Sequence, residues 1–203
     1  MLSLRWESLC PWEIEMFNDI ATLIQIWRLL GRQRSACIDP NTKRHVQLWY
    51  APNKNSILMQ GTDPNKRLCP DVVFELDPLS KRLDRINCLW ADDQDSAHEL
   101  IYNTLQFIVH RSFEKTVVDR VSKLPRQAWN DSVHNNLEFY SSPIDKDILW
   151  IRHTAARWRQ WPVEVNLSEK TVTFDYSTEE PIPTRAGIVL AIEAMEKVNA
   201  KSK

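Results

Sequence analysis

The chain has 203 residues, 43% of them hydrophobic, with 3 glycines and 11 prolines. That suffices for one domain, or a domain with a small appendage, and excludes a collagen-like or low-complexity chain. Its 26 basic residues are balanced by 27 acidic ones, which excludes a global electrostatic pull on nucleic acid or membrane and leaves only local patches.

Cys10, Cys37, Cys69 and Cys88 lie far apart and form no C-x-x-C pair. They read as reduced thiols of a cytoplasmic protein, not as a zinc site or a disulfide framework. No apolar run reaches the roughly 18 residues of a membrane span, and the N-terminus lacks a signal-peptide pattern.

Pro11 and Gly31 bracket the first expected helix, residues 11–30, as an N-terminal proline and a C-terminal glycine do. Met16, Ile20, Leu23, Trp27 and Leu30, with Phe17 and Ile24 beside them, make its buried face. Glu13, Glu15 and Asp19 suit the positive end of the helix dipole. The polar residues 32–43 read as a loop around Asp39-Pro40-Asn41. HVQLWY, His45–Tyr50, alternates as a strand, and Pro52–Asn55 turns the chain into a second strand, Ser56–Gln60. Gly61–Asn65 reads as another turn.

A β-branched and aromatic strand follows, Val72–Leu76, bracketed by Pro70 and by Asp77-Pro78. After the turn PLSKR comes a further strand, LDRINCLWADD. Ser96 and Glu99 form a capping box, so a long helix is expected to start there, with Leu100, Ile101, Leu105, Ile108, Val109, Val117, Val121 and Leu124 on its apolar stripe. Residues 125–136 read as a boundary. Leu137–Tyr140 and Asp147–Arg152 read as strands, and Val163–Leu167 with Thr171–Tyr176 as a hairpin. Pro181 and Pro183 are expected to break the chain before a closing helix from Thr184. The sequence has no internal repeat.

Period-2 alternation puts Asp71, Val73, Glu75 and Asp77 on one face of their strand, with Asp84 and Asn87 on the next strand. Carboxylates converging there could hold a divalent metal against a phosphodiester; the ordinary alternative is a solvated face. In Trp150–Trp161, WIRHTAARWRQW, arginines could contact phosphates while tryptophans stack on unpaired bases, or the tryptophans could anchor a core. Arg152, Arg157, Trp158 and Arg159 are the candidate nucleic-acid contacts. Lys81 and Arg82 add a small basic cluster with Arg85. His98 and His110 have no nucleophile near them in sequence, and there is no Gly-rich phosphate loop.

The helix WEIEMFNDIATLIQIWRLLG, the strand HVQLWY, the Pro70-Asp71-Val72-Val73 strand and the helix after Ser96 together resemble the core of the PD-(D/E)XK nuclease superfamily. The nuclease subunit of McrBC-type restriction systems is the nearest likeness. The resemblance covers residues 11–115. In that family the second strand ends in a run like Ile-Asp-Ala-Lys-Tyr; here it is Ile86-Asn87-Cys88-Leu89-Trp90, with Asn87 in place of the metal carboxylate and Leu89 in place of the lysine. The resemblance thus implies a member whose catalytic centre is lost, leaving Asp71, Glu75 and Asn87 as vestiges and no metal ligands.

The expected fold is α/β: a mixed central sheet flanked by helices, restriction-endonuclease-like over residues 1–124. Residues 125–203 would add a strand, hairpin and helix extension packed with the core as one globular unit. The expected function is a catalytically inactive nuclease-like subunit that binds DNA or RNA, or scaffolds other protein subunits, in a defence or mobile-element system. No cofactor and no membrane are expected. One alternative is an active nuclease using Mg2+, with its second carboxylate displaced to Glu75 or Glu13. The other is a pure protein–protein adaptor.

Overall fold

The computed structural model describes residues 2–5, 11–39, 43, 45–62, 72–88, 94–130, 132–134, 136–154, 163–174 and 181–201. The chain is an α/β protein of two compact units, Met1–Ser112 and Phe113–Lys203, and the division falls inside a long helix.

In the first unit, strand β1 (Leu2–Arg5) precedes helix α1 (Pro11–Leu29). Five strands follow as an antiparallel meander: β2 (Arg34–Ile38), β3 (His45–Ala51), β4 (Ser56–Thr62), β5 (Val72–Leu76) and β6 (Leu83–Cys88). β1 adds to the outer edge of β6, giving a six-stranded sheet in the order β1-β6-β5-β4-β3-β2. Helix α2 (Gln94–Val121) comes next and runs into the second unit.

Alternation decides which face of this sheet is buried. Leu48, Met59, Val72 and Cys88 form one cross-strand row, and Ile57, Phe74 and Ile86 another; all are buried. Both helices meet that face: Trp27 of α1 donates its indole N–H to Ser35 Oγ on β2 at 2.8 Å, and Ser112 of α2 donates to the same oxygen at 2.9 Å. Phe17, Ile20, Leu23, Ile24, Trp27 and Leu30 of the expected stripe are buried, while Met16 is half-buried. Gly31 adopts φ 65°, the left-handed cap that the sequence requires there.

The second unit repeats the order helix, five-stranded meander, helix. β7 (Ser132–His134), β8 (Leu137–Ser141), β9 (Ile148–His153), β10 (Val163–Asn166) and β11 (Thr171–Phe174) pair antiparallel in chain order, and α3 (Pro181–Lys201) closes the unit. Phe139, Ile151, Val163 and Phe174 form a buried row across four strands. Phe113 of α2 packs against Phe174 with the rings tilted by 37° and their centres 5.9 Å apart. So the chain repeats a topology that no self-similarity in the sequence announces.

Four local expectations need correction. Residues 34–38, read as loop, form β2, because hydrogen bonding to β3 organises a polar edge strand that has no apolar alternation of its own. β4 runs through Gly61 and Thr62, which were expected to lie in a turn; residues 63–65 lie outside the described residues. α2 starts at Gln94, so Ser96 stands inside the first turn and not at its cap. Pro181 and Pro183 open α3 where they were expected to break the chain; in a first turn the missing N–H costs nothing.

Candidate functional site

Glu75 and Asn87 face each other across β5 and β6. The register pairs Glu75 with Arg85 and Val73 with Asn87, so all four point to the sheet face opposite the helices. Asn87 Nδ2 donates to Glu75 Oε1 at 2.6 Å, and Arg85 Nε stands 3.9 Å from Oε2. Asn87 is 5% exposed although it lies on this face, so the solvated-face reading does not describe it.

This donor set does not fit a magnesium ion. An amide N–H and a guanidinium turned toward the one carboxylate repel a cation. Among the described residues no three His, Cys, Asp or Glu converge. Asp71 and Leu89 lie outside the described residues, as does the side chain of Glu13.

The turn between β5 and β6 is built by Asp77. Its Oδ1 accepts the backbone N–H groups of Leu79 (3.0 Å) and Ser80 (2.5 Å), while its own N–H donates to Arg82 O at 2.8 Å. The Ser80 bond, more than any other cause, holds the Asp77 carboxyl below its ordinary range. Lys81 takes φ 58°, and its ammonium donates to Asn55 Oδ1 at 2.7 Å. Arg28 of α1 donates to Lys81 O at 2.5 Å.

Between this hairpin and α1 lies a cleft of about 920 Å3. Phe17, Ala21 and Leu83 contribute apolar surface; Asn18, Thr22 and Gln25 of α1 and Asp84 and Arg82 of the hairpin contribute polar groups. Sequence reasoning weighed Asp84 only as a metal ligand and missed the α1 residues. Their signal is present in the spacing: Asn18, Thr22 and Gln25 recur at helical intervals, a polar stripe beside the apolar one.

Of the expected nucleic-acid contacts, Arg152 lies on β9 and donates through Nε to Glu138 Oε2 at 2.7 Å, with its guanidinium 5.9 Å from the Tyr140 ring centre. Trp150 is half-buried and donates to Glu164 Oε2 at 3.2 Å. Arg157, Trp158 and Arg159 lie outside the described residues. Arg82 is exposed, and its side chain makes no ion pair among the described residues. His98 is buried in the first turns of α2, and His110 is half-buried. Among the described residues no helix is long and apolar enough to cross a membrane.

No protein-family model, no curated protein and no solved structure matches the chain.

Proposed function

We propose that the chain is a catalytically inactive, nuclease-like module that works by binding, holding protein partners in a complex. The observation that carries this reading is the Asn87–Glu75 pair. Where the nuclease resemblance puts a metal carboxylate, an amide donates to the neighbouring acid, with Arg85 beside it. Protein partners are favoured over nucleic acid because Lys81 and Arg152, two of the expected phosphate-binding residues, direct their charge at Asn55 and Glu138. Nucleic-acid binding is the second reading, favoured by the exposed Arg82.

The test is incubation of the purified chain with single- and double-stranded DNA and RNA in magnesium or manganese. No cleavage is expected. Metal-dependent cleavage abolished by Asp71→Ala would replace this reading with an active nuclease. A titration of labelled single strand at two salt concentrations separates the two binding readings. Binding that weakens in Arg82→Ala, Arg157→Ala and Trp158→Ala would favour nucleic acid, provided that each arginine removed also lowers the salt slope by about one.

A further inference from the structure

An open sheet edge presents backbone N–H and C=O groups to any other strand, and proteins blunt such edges with charge, proline, a bulge or brevity. In the second sheet, β7 has only three residues, and on β11 the Val172 N–H donates to the buried carboxylate of Glu114 at 3.5 Å. β2, at the end of the first sheet, has none of these devices. Its five residues include no proline and no lysine, and they pair one to one with β3 without a bulge. Among the described residues β3 is its only strand partner. Arg34, the one charge of the strand, donates to Gln47 Oε1 on β3 at 2.8 Å, which directs it over the sheet and away from the edge.

The ladder fixes which groups face outward. Tyr50 N–H donates to Gln33 O at 2.9 Å, so Gln33 and Tyr50 are a hydrogen-bonded pair. Alternation makes Ser35–Leu48 and Cys37–Val46 the next such pairs. The N–H and C=O groups of Arg34, Ala36 and Ile38 therefore point away from β3. Their side chains lie on the sheet face opposite the helices, since Ser35 between them accepts from both Trp27 and Ser112. Arg34 and Ala36 are exposed, and Ile38 is 52% exposed.

We propose that β2 pairs antiparallel with β2 of a second copy of the chain, about a two-fold axis at Ala36, joining two first sheets into one. In this register the strand is complementary to itself. Arg34 stands opposite Ile38 of the second copy, Ala36 opposite Ala36, and Ile38 opposite Arg34. Each pair exchanges two backbone hydrogen bonds, about six in all. No like charges stand opposite each other, and the Arg34 stem covers Ile38 of the second copy. On the helix side Ser35 meets Cys37, and the charges of Arg111 and Asp39 beside Cys37 offset one another. A slip of two residues would set Arg34 opposite Pro40, which has no N–H to give. A foreign strand could use the same edge, but a second copy brings this complementarity with every molecule. The pairing goes beyond the binding-module reading and holds whether or not the chain binds other proteins.

The test is sedimentation velocity of the full chain from low to high micromolar concentration. The strand pair buries less than the roughly 800 Å2 per partner of a standard interface, so a reversible dimer is expected. Ala36→Pro removes the N–H that each copy gives at the axis, at an edge position where proline is tolerated, and should weaken the dimer about tenfold. Ala36→Lys sets two charges side by side and should weaken it about fivefold or more; it stands in for Ala36→Pro if the proline variant does not fold by circular dichroism. Val133→Lys, on the edge strand of the second sheet, should leave the dimer unchanged. Ala36→Cys should cross-link to itself under mild oxidation, with the bond mapped by mass spectrometry, because the two Cα atoms would lie about 5.5 Å apart across the axis. A monomer at every concentration, a dimer of parental strength in the folded position-36 variants, loss of the dimer in Val133→Lys, or no cross-link through position 36 would each overturn the proposal.

Discussion

Asn87 and Glu75 are joined by one hydrogen bond, Nδ2 to Oε1, across neighbouring strands of the first sheet. Asn87 is nearly inaccessible while Glu75 is half-exposed, so most of the consequence of breaking the bond falls on Asn87. A carboxylate in its place would lose the donor and set two negative charges side by side. Asn87→Asp is therefore expected to destabilise the first unit by about 1–3 kcal/mol at neutral pH. Urea denaturation of the variant, and of Asn87→Asp with Glu75→Gln, checks this: the second substitution restores a donor and should recover part of the loss. An unchanged midpoint in Asn87→Asp would mean that the bond adds nothing to stability.

Arg120 clamps α2 to α3. Its Nε donates to Glu196 Oε1 at 2.9 Å, a second guanidinium nitrogen donates to Glu196 Oε2, and Nη1 donates to Glu193 Oε1 at 3.4 Å. The bond from Arg120 holds the Glu196 carboxyl below its ordinary value of 4.5. A depressed carboxyl stabilises the fold above its unfolded pKa, and that contribution fades as pH falls through the folded one. Glu196 is more than a third exposed, and screening keeps the contribution to about 0.5–1 kcal/mol. Glu196→Gln should lower stability by that amount at pH 7 and flatten the acid limb of the stability profile below pH 4.5. An identical slope in parent and variant would show the clamp to be without effect.

The helix α1 was legible because its ends are chemically marked, Pro11 at the start and Gly31 in a left-handed turn at the end, and because its stripe is strongly periodic. The hairpin β10–β11 was legible for the same kind of reason: alternation on both strands and a tight turn, with Lys170 at φ 59°. β2 was not, because Arg34–Ile38 becomes a strand only through bonds to β3. The candidate site divides likewise. Alternation placed Glu75 and Asn87 on adjacent strands, but neither the burial of Asn87 nor its choice of partner follows from spacing. The cleft depends on where α1 lies over the hairpin, a tertiary relation that no local pattern encodes.

Cys37 points inward from β2. Burial pushes its thiol up to about 11, with Arg111 acting to lower it and Asp39 to raise it. Only about one molecule in a thousand would then carry the reactive thiolate at pH 8. Iodoacetamide at that pH should label Cys37 about a hundredfold more slowly in the native chain than in urea, read residue by residue by mass spectrometry. Native labelling at the unfolded rate would mean that β2 opens readily or that Cys37 is not covered.

Trp27, Ser35 and Ser112 form the junction at which both helices meet the first sheet. The Trp27 side chain is fully buried, and its indole N–H has Ser35 Oγ as acceptor. Ser35→Ala removes that acceptor and also the partner of Ser112. A buried donor left without an acceptor costs about 1–3 kcal/mol, more than a typical hydrogen bond is worth, because its hydration has already been lost. Ser35→Ala should accordingly lower the denaturation midpoint well beyond what removing one exposed hydroxyl would do. Trp27→Phe added to Ser35→Ala removes the orphaned N–H at the expense of some packing. The double variant should thus be less destabilised than the sum of the two single changes, a positive coupling in a double-mutant cycle. Strict additivity would mean that water reaches Trp27 in Ser35→Ala and that the junction is looser than the buried indole implies.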